Sequence, residues 1–116
     1  MEYNLNERTM NFSKEVIRIL RSIKSDYLTT SVINQLFRSA TSVGANYREA
    51  NNASSRKDFA NKTFICKKEA QETKYWIELL AELEIEFKEE LRILWQEAHE
   101  LTLIFNKICN SAKQKK

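Results

Sequence analysis

Apolar residues recur along the chain at steps of three and four, the period of one helix face, and polar runs divide the pattern into four segments. The first predicted helix spans about 9–23, where Met10, Val16, Ile17, Leu20 and Ile23 fall near helical spacing and Arg18, Arg21 and Lys24 take the wet side. After the joint SDYLTTS, with Thr30 or Ser31 as the expected N-cap, a second helix spans about 30–51. Its seam is Ile33, Leu36, Phe37, Ala40, Val43, Gly44 and Tyr47. The joint NNASS follows, and Ser55 is placed to cap a third helix with Asp58 three residues on. That helix, about 56–86, is the longest, at about 45 Å for a rise of 1.5 Å per residue. Phe59, Cys66, Ala70, Thr73, Ile77 and Leu80 form its seam. The last helix, about 88–112, carries Leu91, Leu94, Trp95, Ala98, Leu101, Phe105, Ile108 and Ala112, and KQKK is a solvated tail.

Four amphipathic helices with short joints predict an all-α, antiparallel up-down-up-down four-helix bundle, one domain over 1–116. Composition agrees, since the chain has one glycine and no proline, the residues on which tight β-turns depend. A second apolar line on the third helix, Phe64–Lys68–Tyr75–Leu79, widened by Trp76 and Leu83, exceeds what one bundle core needs. Helices apolar on two sides are usually buried on two sides, so self-association into a homo-oligomer is expected.

If helices two and three are antiparallel about a joint near residue 54, facing positions sum to about 108. Ser39 then faces Glu69, Arg38 reaches Glu69 or Glu72 in a register-fixing ion pair, and Gly44 lies near Phe64 with room for close approach. Asn46, Arg48 and Glu49 form one local polar cluster, and Lys68, Glu69 and Glu72 another.

Chemistry is sparsely represented. The single histidine, His99, has Gln96 rather than Glu three residues before it, so the imidazoles of a carboxylate-bridged metal site are missing. A nucleophile would have to recruit that same histidine from an acidic stretch, where a solvated helix-face position is expected. Phosphate-cradling glycine patterns are absent. Cys66 and Cys109 lack CxxC spacing and fall at apolar positions, which predicts buried reduced thiols. No cofactor, no metal and no enzyme activity are expected. With no run of about 18 apolar residues and an N-terminus unlike a signal peptide, a cytoplasmic protein without a membrane partner is expected.

The net charge of +3 conceals segregation. Residues 1–76 carry 13 Lys/Arg and 8 Asp/Glu, residues 77–106 carry 2 and 8, and residues 107–116 carry 4 and none. Such a pattern marks a nucleic-acid surface or the meeting of acidic and basic faces in an oligomer. Arg56, Lys57 and Lys62, joined by Lys67 and Lys68, make a candidate phosphate-facing patch, because cations at a helix N-terminus oppose its dipole. No aromatic-plus-basic recognition signature accompanies the patch, so sequence-specific readout is not expected.

The runs RSATSVGANYREANNASSRKDF and NKTFICKKEAQETKYWIELL closely resemble the four-helix-bundle family encoded within intervening sequences of bacterial 23S rRNA genes. The resemblance is densest from Arg38 to Leu80, in S-V-G-A-N-Y-R-E-A, S-x-K-D-F and K-E-A-x-E-T-x-Y-W-I-E-L-L. Where many relatives read Glu-Gly, this chain has Glu49-Ala50, and a less abrupt end to helix two is expected. The resemblance implies an up-down bundle assembled as a ring, with a homopentamer the associated arrangement. The family is also similar to the accessory variability determinant of diversity-generating retroelements. Carried over, the resemblance implies Arg48, Arg56, Lys57 and Lys62 as candidates for RNA or DNA contact, and Asn46, Glu49, Lys68, Glu69, Glu72 and Tyr75 as positions shaping bundle or subunit joints. The alternative expectation is a scaffold whose ring holds a partner polypeptide.

Overall fold

The computed structural model describes residues 4–114, side chains through Lys113, and all regular structure among them is helical. Residues 1–3 and the last two lysines of KQKK lie outside the described residues. The helices are α1 (Leu5–Ser22), α2 (Tyr27–Asn51), α3 (Arg56–Leu83) and α4 (Lys88–Gln114), with a single 3-10 turn, Ile85–Phe87, leading into α4. They form an antiparallel bundle measuring 49 × 25 × 20 Å.

The N-termini are set by side chains accepting orphan backbone N–H groups. At α3 the expected cap forms: Asp58 N donates to Ser55 Oγ at 3.0 Å, and Asp58 Oδ2 accepts from Ser54 N at 3.2 Å. At α2 the cap is Asp26, accepting from Thr29 N at 2.9 Å, so the helix starts three residues before the expected Thr30. At α1 the cap is Asn4, whose φ of 47° is in the left-handed region that asparagine tolerates, and the helix starts four residues early. The third helix stops at Leu83 rather than 86, because Glu84 leaves the helical region and accepts from Thr29 Oγ1 at 3.1 Å, tying the turn to α2.

On α3 the predicted seam is buried from Cys66 to Leu80, with Ala60 and Thr63 added. On α1 the phase differs from expectation. The buried stripe is Leu5, Thr9, Phe12, Val16, Ile19 and Ile23, at steps of four and three, while Met10 and Ile17 are exposed. Phe37 on α2 is likewise exposed, and Ser39 takes the core position beside it. Gly44 serves a close approach, but to α1 rather than to Phe64. A Cβ there would lie 3.1 Å from Thr9 Oγ1, which is itself held on Leu5 O at 2.6 Å.

Between α2 and α3 the core contains a polar contact. Thr73 Oγ1 lies 2.9 Å from Ser39 Oγ and 2.7 Å from Glu69 O, with both side chains fully buried. Facing positions therefore sum to about 112 here, one turn beyond the expected pairing of Ser39 with Glu69. Cys66 and Cys109 are buried free thiols that contact Val43 O and Ala60 O. Burial pushes the Cys66 thiol up to about 12, so it is protonated and unreactive at neutral pH. Among the described residues no helix is long and apolar enough to cross a membrane.

Thr73→Val should lower the unfolding free energy by about 1–2 kcal/mol, since Ser39 Oγ would keep only the Leu36 carbonyl. In urea melts the double variant with Ser39→Ala should lose less than the sum of the two single losses, because each single substitution already removes the shared contact. Strictly additive losses would show that the two hydroxyls are not coupled.

Candidate nucleic-acid interface

Short joints reverse the chain three times, so sequence-segregated charge is sorted to opposite ends of the bundle. One end gathers the start of α3 and the end of α4, with Arg56, Lys57, Lys62, Lys67, Lys68, Lys107 and Lys113, beside Arg48 at the end of α2. The other end carries Glu78, Glu82, Glu84, Glu86, Glu89 and Glu90, in excess over Arg21, Lys24, Lys88 and Arg92, with exposed Tyr27, Leu28, Leu83 and Ile85.

The candidate cations are not equivalent. Lys62 faces α2, and its ammonium lies 2.8 Å from Glu49, which raises its pKa and occupies its charge. Arg48, Arg56 and Lys57 are exposed at the α2–α3 joint. Lys67 faces α4, donating to Asn106 Oδ1 at 3.3 Å, and its ammonium stands 5.0 Å from the centroid of the Phe64 ring. The structure does not bring the five nucleic-acid candidates onto one face: Lys62 sits across α3 from Lys67.

The second predicted group divides as well. Arg38 makes the expected interhelical ion pairs with Glu69, at 3.3 Å, and with Glu72. Glu72 also accepts from Trp76 Nε1 at 2.8 Å. Asn46 turns back on its own helix, donating to Ser42 O at 2.9 Å. Lys68 lies 6.0 Å over Phe64 and makes no direct ion pair with Glu69 or Glu72, though its charge helps lower the Glu72 carboxyl, and Tyr75 is exposed with its ring edge-on to Trp76.

Two arrangements were missed in the sequence. Arg8 clamps α1 to α4 by a two-pronged contact with Glu97, at 2.7 and 2.9 Å, and a further bond to Glu100 at 2.6 Å. It spans a groove of about 380 Å³ between those helices, lined by Phe12, Ile19, Ile93 and Leu94. His99, expected to be solvated, stacks on Trp95 at 5.2 Å, with Nδ1 3.1 Å from the Lys74 ammonium. Only long-range geometry reveals either contact, since the partners are 89 and 25 residues apart.

The hydrogen bond from Trp76, and then Arg38, hold the Glu72 carboxyl below its ordinary value. The unfolded chain therefore takes up this proton first, and Glu72 contributes stability above the ordinary carboxylate range that is lost as pH falls through the lowered folded value. Glu72→Gln should flatten the acid limb of the stability curve, and Arg38→Met should do so more weakly. The pair is half-exposed, so its magnitude is screened. An acid limb unchanged by both substitutions would remove the cluster from the stability account.

Comparison with known proteins adds the following. A family model described as 23S rRNA-intervening sequence protein matches residues 1–107. A crystal structure from Bacteroides thetaiotaomicron VPI-5482, described as a protein of unknown function from the S23 ribosomal protein family, is 32% identical with a TM-score of 0.79. The match covers 90% of this chain and 96% of that one. No curated protein matches the chain.

Proposed function

The chain belongs to the 23S rRNA-intervening sequence protein family, and we propose that it is a non-catalytic, cytoplasmic, homo-oligomeric bundle that binds RNA or DNA through phosphate contacts. The observation that carries this reading is the division of the molecule into a basic end and an acidic, apolar end. The basic end supplies phosphate contacts from Arg48, Arg56, Lys57 and Lys67; Lys62 contributes less because Glu49 already holds it. The apolar end suits contact between copies. Tyr27, Leu28 and Ile85 are 84%, 53% and 69% exposed there, and a group of large exposed side chains suits contact with another surface. A closed ring satisfies both ends, with five subunits the number implied by the family resemblance. A scaffold that holds a partner polypeptide would use the same apolar end, and it would keep its partner in a pull-down after nuclease treatment.

Binding of a labelled RNA measured by anisotropy should weaken steeply with salt, and Arg56→Ala/Lys57→Ala should reduce the log–log slope by about 1–1.5. Absent or salt-independent binding would overturn the phosphate reading. Independently, Ile85→Glu should lower the mass measured by light scattering while leaving helix content intact. An unchanged mass would move the subunit contact elsewhere.

A further inference from the structure

The outward face of α3 is read by residues at steps of four, three, four, three and four: Lys57, Asn61, Phe64, Lys68, Gln71 and Tyr75. All six are exposed, and none is a carboxylate. Cationic and aromatic positions alternate along this stripe, a pattern hidden in the linear sequence because the members are three or four residues apart. The acidic residues resume only at Glu78 and Glu82.

Phe64 is the centre of the stripe. Its ring is 37% exposed and three ammonium groups surround it, Lys67 at 5.0 Å, Lys113 at 5.1 Å and Lys68 at 6.0 Å. Among the described residues none of these lysines takes part in an ion pair. Three like charges around one ring repel each other, and the negative face of the ring offsets only part of that repulsion. No carboxylate pairs directly with any of the three, although Lys68 stands near enough to Glu72 to help hold that carboxyl below its ordinary value. Trp95 is a useful contrast: Lys74 also stands over its ring, but His99 covers one face and its Nε1–H donates to Glu78. Its needs are met within the chain, and those of the Phe64 cluster are not.

We propose that the Lys57–Phe64–Lys68–Tyr75 face of α3, completed by Lys67 and Lys113, is a stacking platform for a single-stranded polynucleotide. An unpaired base lies on Phe64, and the lysines move from the ring to the flanking phosphates. Tyr75, 56% exposed and about 16 Å further along the helix at 1.5 Å per residue, offers a second ring. A duplex keeps its base faces buried in its own stack, whereas a splayed single strand presents both bases and phosphates to such a surface. The proposal rests on the nucleic-acid reading above and sharpens it to strand form and site. It also assigns Phe64, Lys68 and Tyr75 a role in contact with ligand rather than between subunits.

The test compares anisotropy titrations of a labelled single-stranded oligouridine with those of a blunt RNA duplex of equal length, at fixed salt. Wild-type protein should prefer the single strand. Phe64→Ala/Tyr75→Ala should weaken single-strand binding on the order of tenfold or more, with duplex binding and salt slope unchanged. Phe64→Tyr should retain single-strand affinity, which a merely structural role for the phenyl ring would not distinguish from Phe64→Leu. Folding of each variant is checked by circular dichroism; should the alanine variant unfold, the Tyr-against-Leu comparison decides. Equal affinity for both strand forms, or equal loss on both, would overturn stacking and leave phosphate binding standing. Absence of binding to either would overturn both readings. A fall in oligomer mass with Phe64→Ala would overturn the proposal by making this face a contact between copies.

Discussion

The buried contact between Ser39 and Thr73 is the point on which the rest of the arrangement depends. Two hydroxyls in an otherwise apolar seam can satisfy each other in one register of α2 against α3. Sliding either helix by one turn would forfeit the bond between them and leave each hydroxyl only the carbonyl of its own helix, Leu36 O for Ser39 and Glu69 O for Thr73. Around that point the seam is lined by small residues, Ala40 and Ala70 among them, which allow the backbones close together. Arg38, Glu69 and Glu72 then meet at the edge of the same layer as a consequence of that register. The exposed ion pair therefore reports the alignment more than it creates it.

With α2 and α3 fixed, joints of four residues between α1 and α2 and between α2 and α3 leave each neighbour no option but reversal. Charge segregated along the chain thereby becomes charge segregated along the long axis of the bundle. Had the connections been long crossovers, the same composition could have been spread over every face. The fold and the electrostatic polarity are in this sense one property, and Glu84 shows it locally: leaving α3, it accepts from Thr29 at the start of α2 and holds the acidic end together.

How much of this was legible depended on how many constraints each helix carries. On α3 the apolar residues, cap and charge pattern all agree, so periodicity gave the seam from Cys66 to Leu80, residue type the Ser55 cap, and antiparallel pairing about a short joint the Arg38 contact. On α1 two phases of the pattern compete. Met10 and Ile17 are as apolar as Phe12 and Ile19, and the decision is made by Gly44 across the interface, which admits Thr9 and so rotates Phe12 inward. Gly44 was legible as a close-packing residue but not its partner, because a glycine signals room without saying which helix fills it. The early starts of α1 and α2 turned on Asn4 and Asp26, side chains whose capping role appears only once the backbone has reversed.

The candidate site was the least legible part for a related reason. A helix in the middle of a bundle is claimed on three sides: α3 faces the core, α2 through Lys62 and Glu69, and α4 through Lys67, Lys74 and Glu78. Only the remaining stripe is free to act on anything outside the chain. Lysines on such a stripe are ordinary, since they keep a helix in water. Aromatic residues are not, and the folded chain leaves Phe64 37% and Tyr75 56% exposed in that direction. The sequence carried the apolar line as an excess of greasy surface and the basic run as a separate patch. The three-dimensional helix superimposes them, and the superposition, a phenyl ring among three ammonium groups with no direct ion pair, is more specific than either component. The acidic end of another copy, with its exposed Tyr27, Leu28 and Ile85, would also bring anion and apolar surface together, but as one fixed patch. A polynucleotide supplies anion and flat ring in one repeating unit.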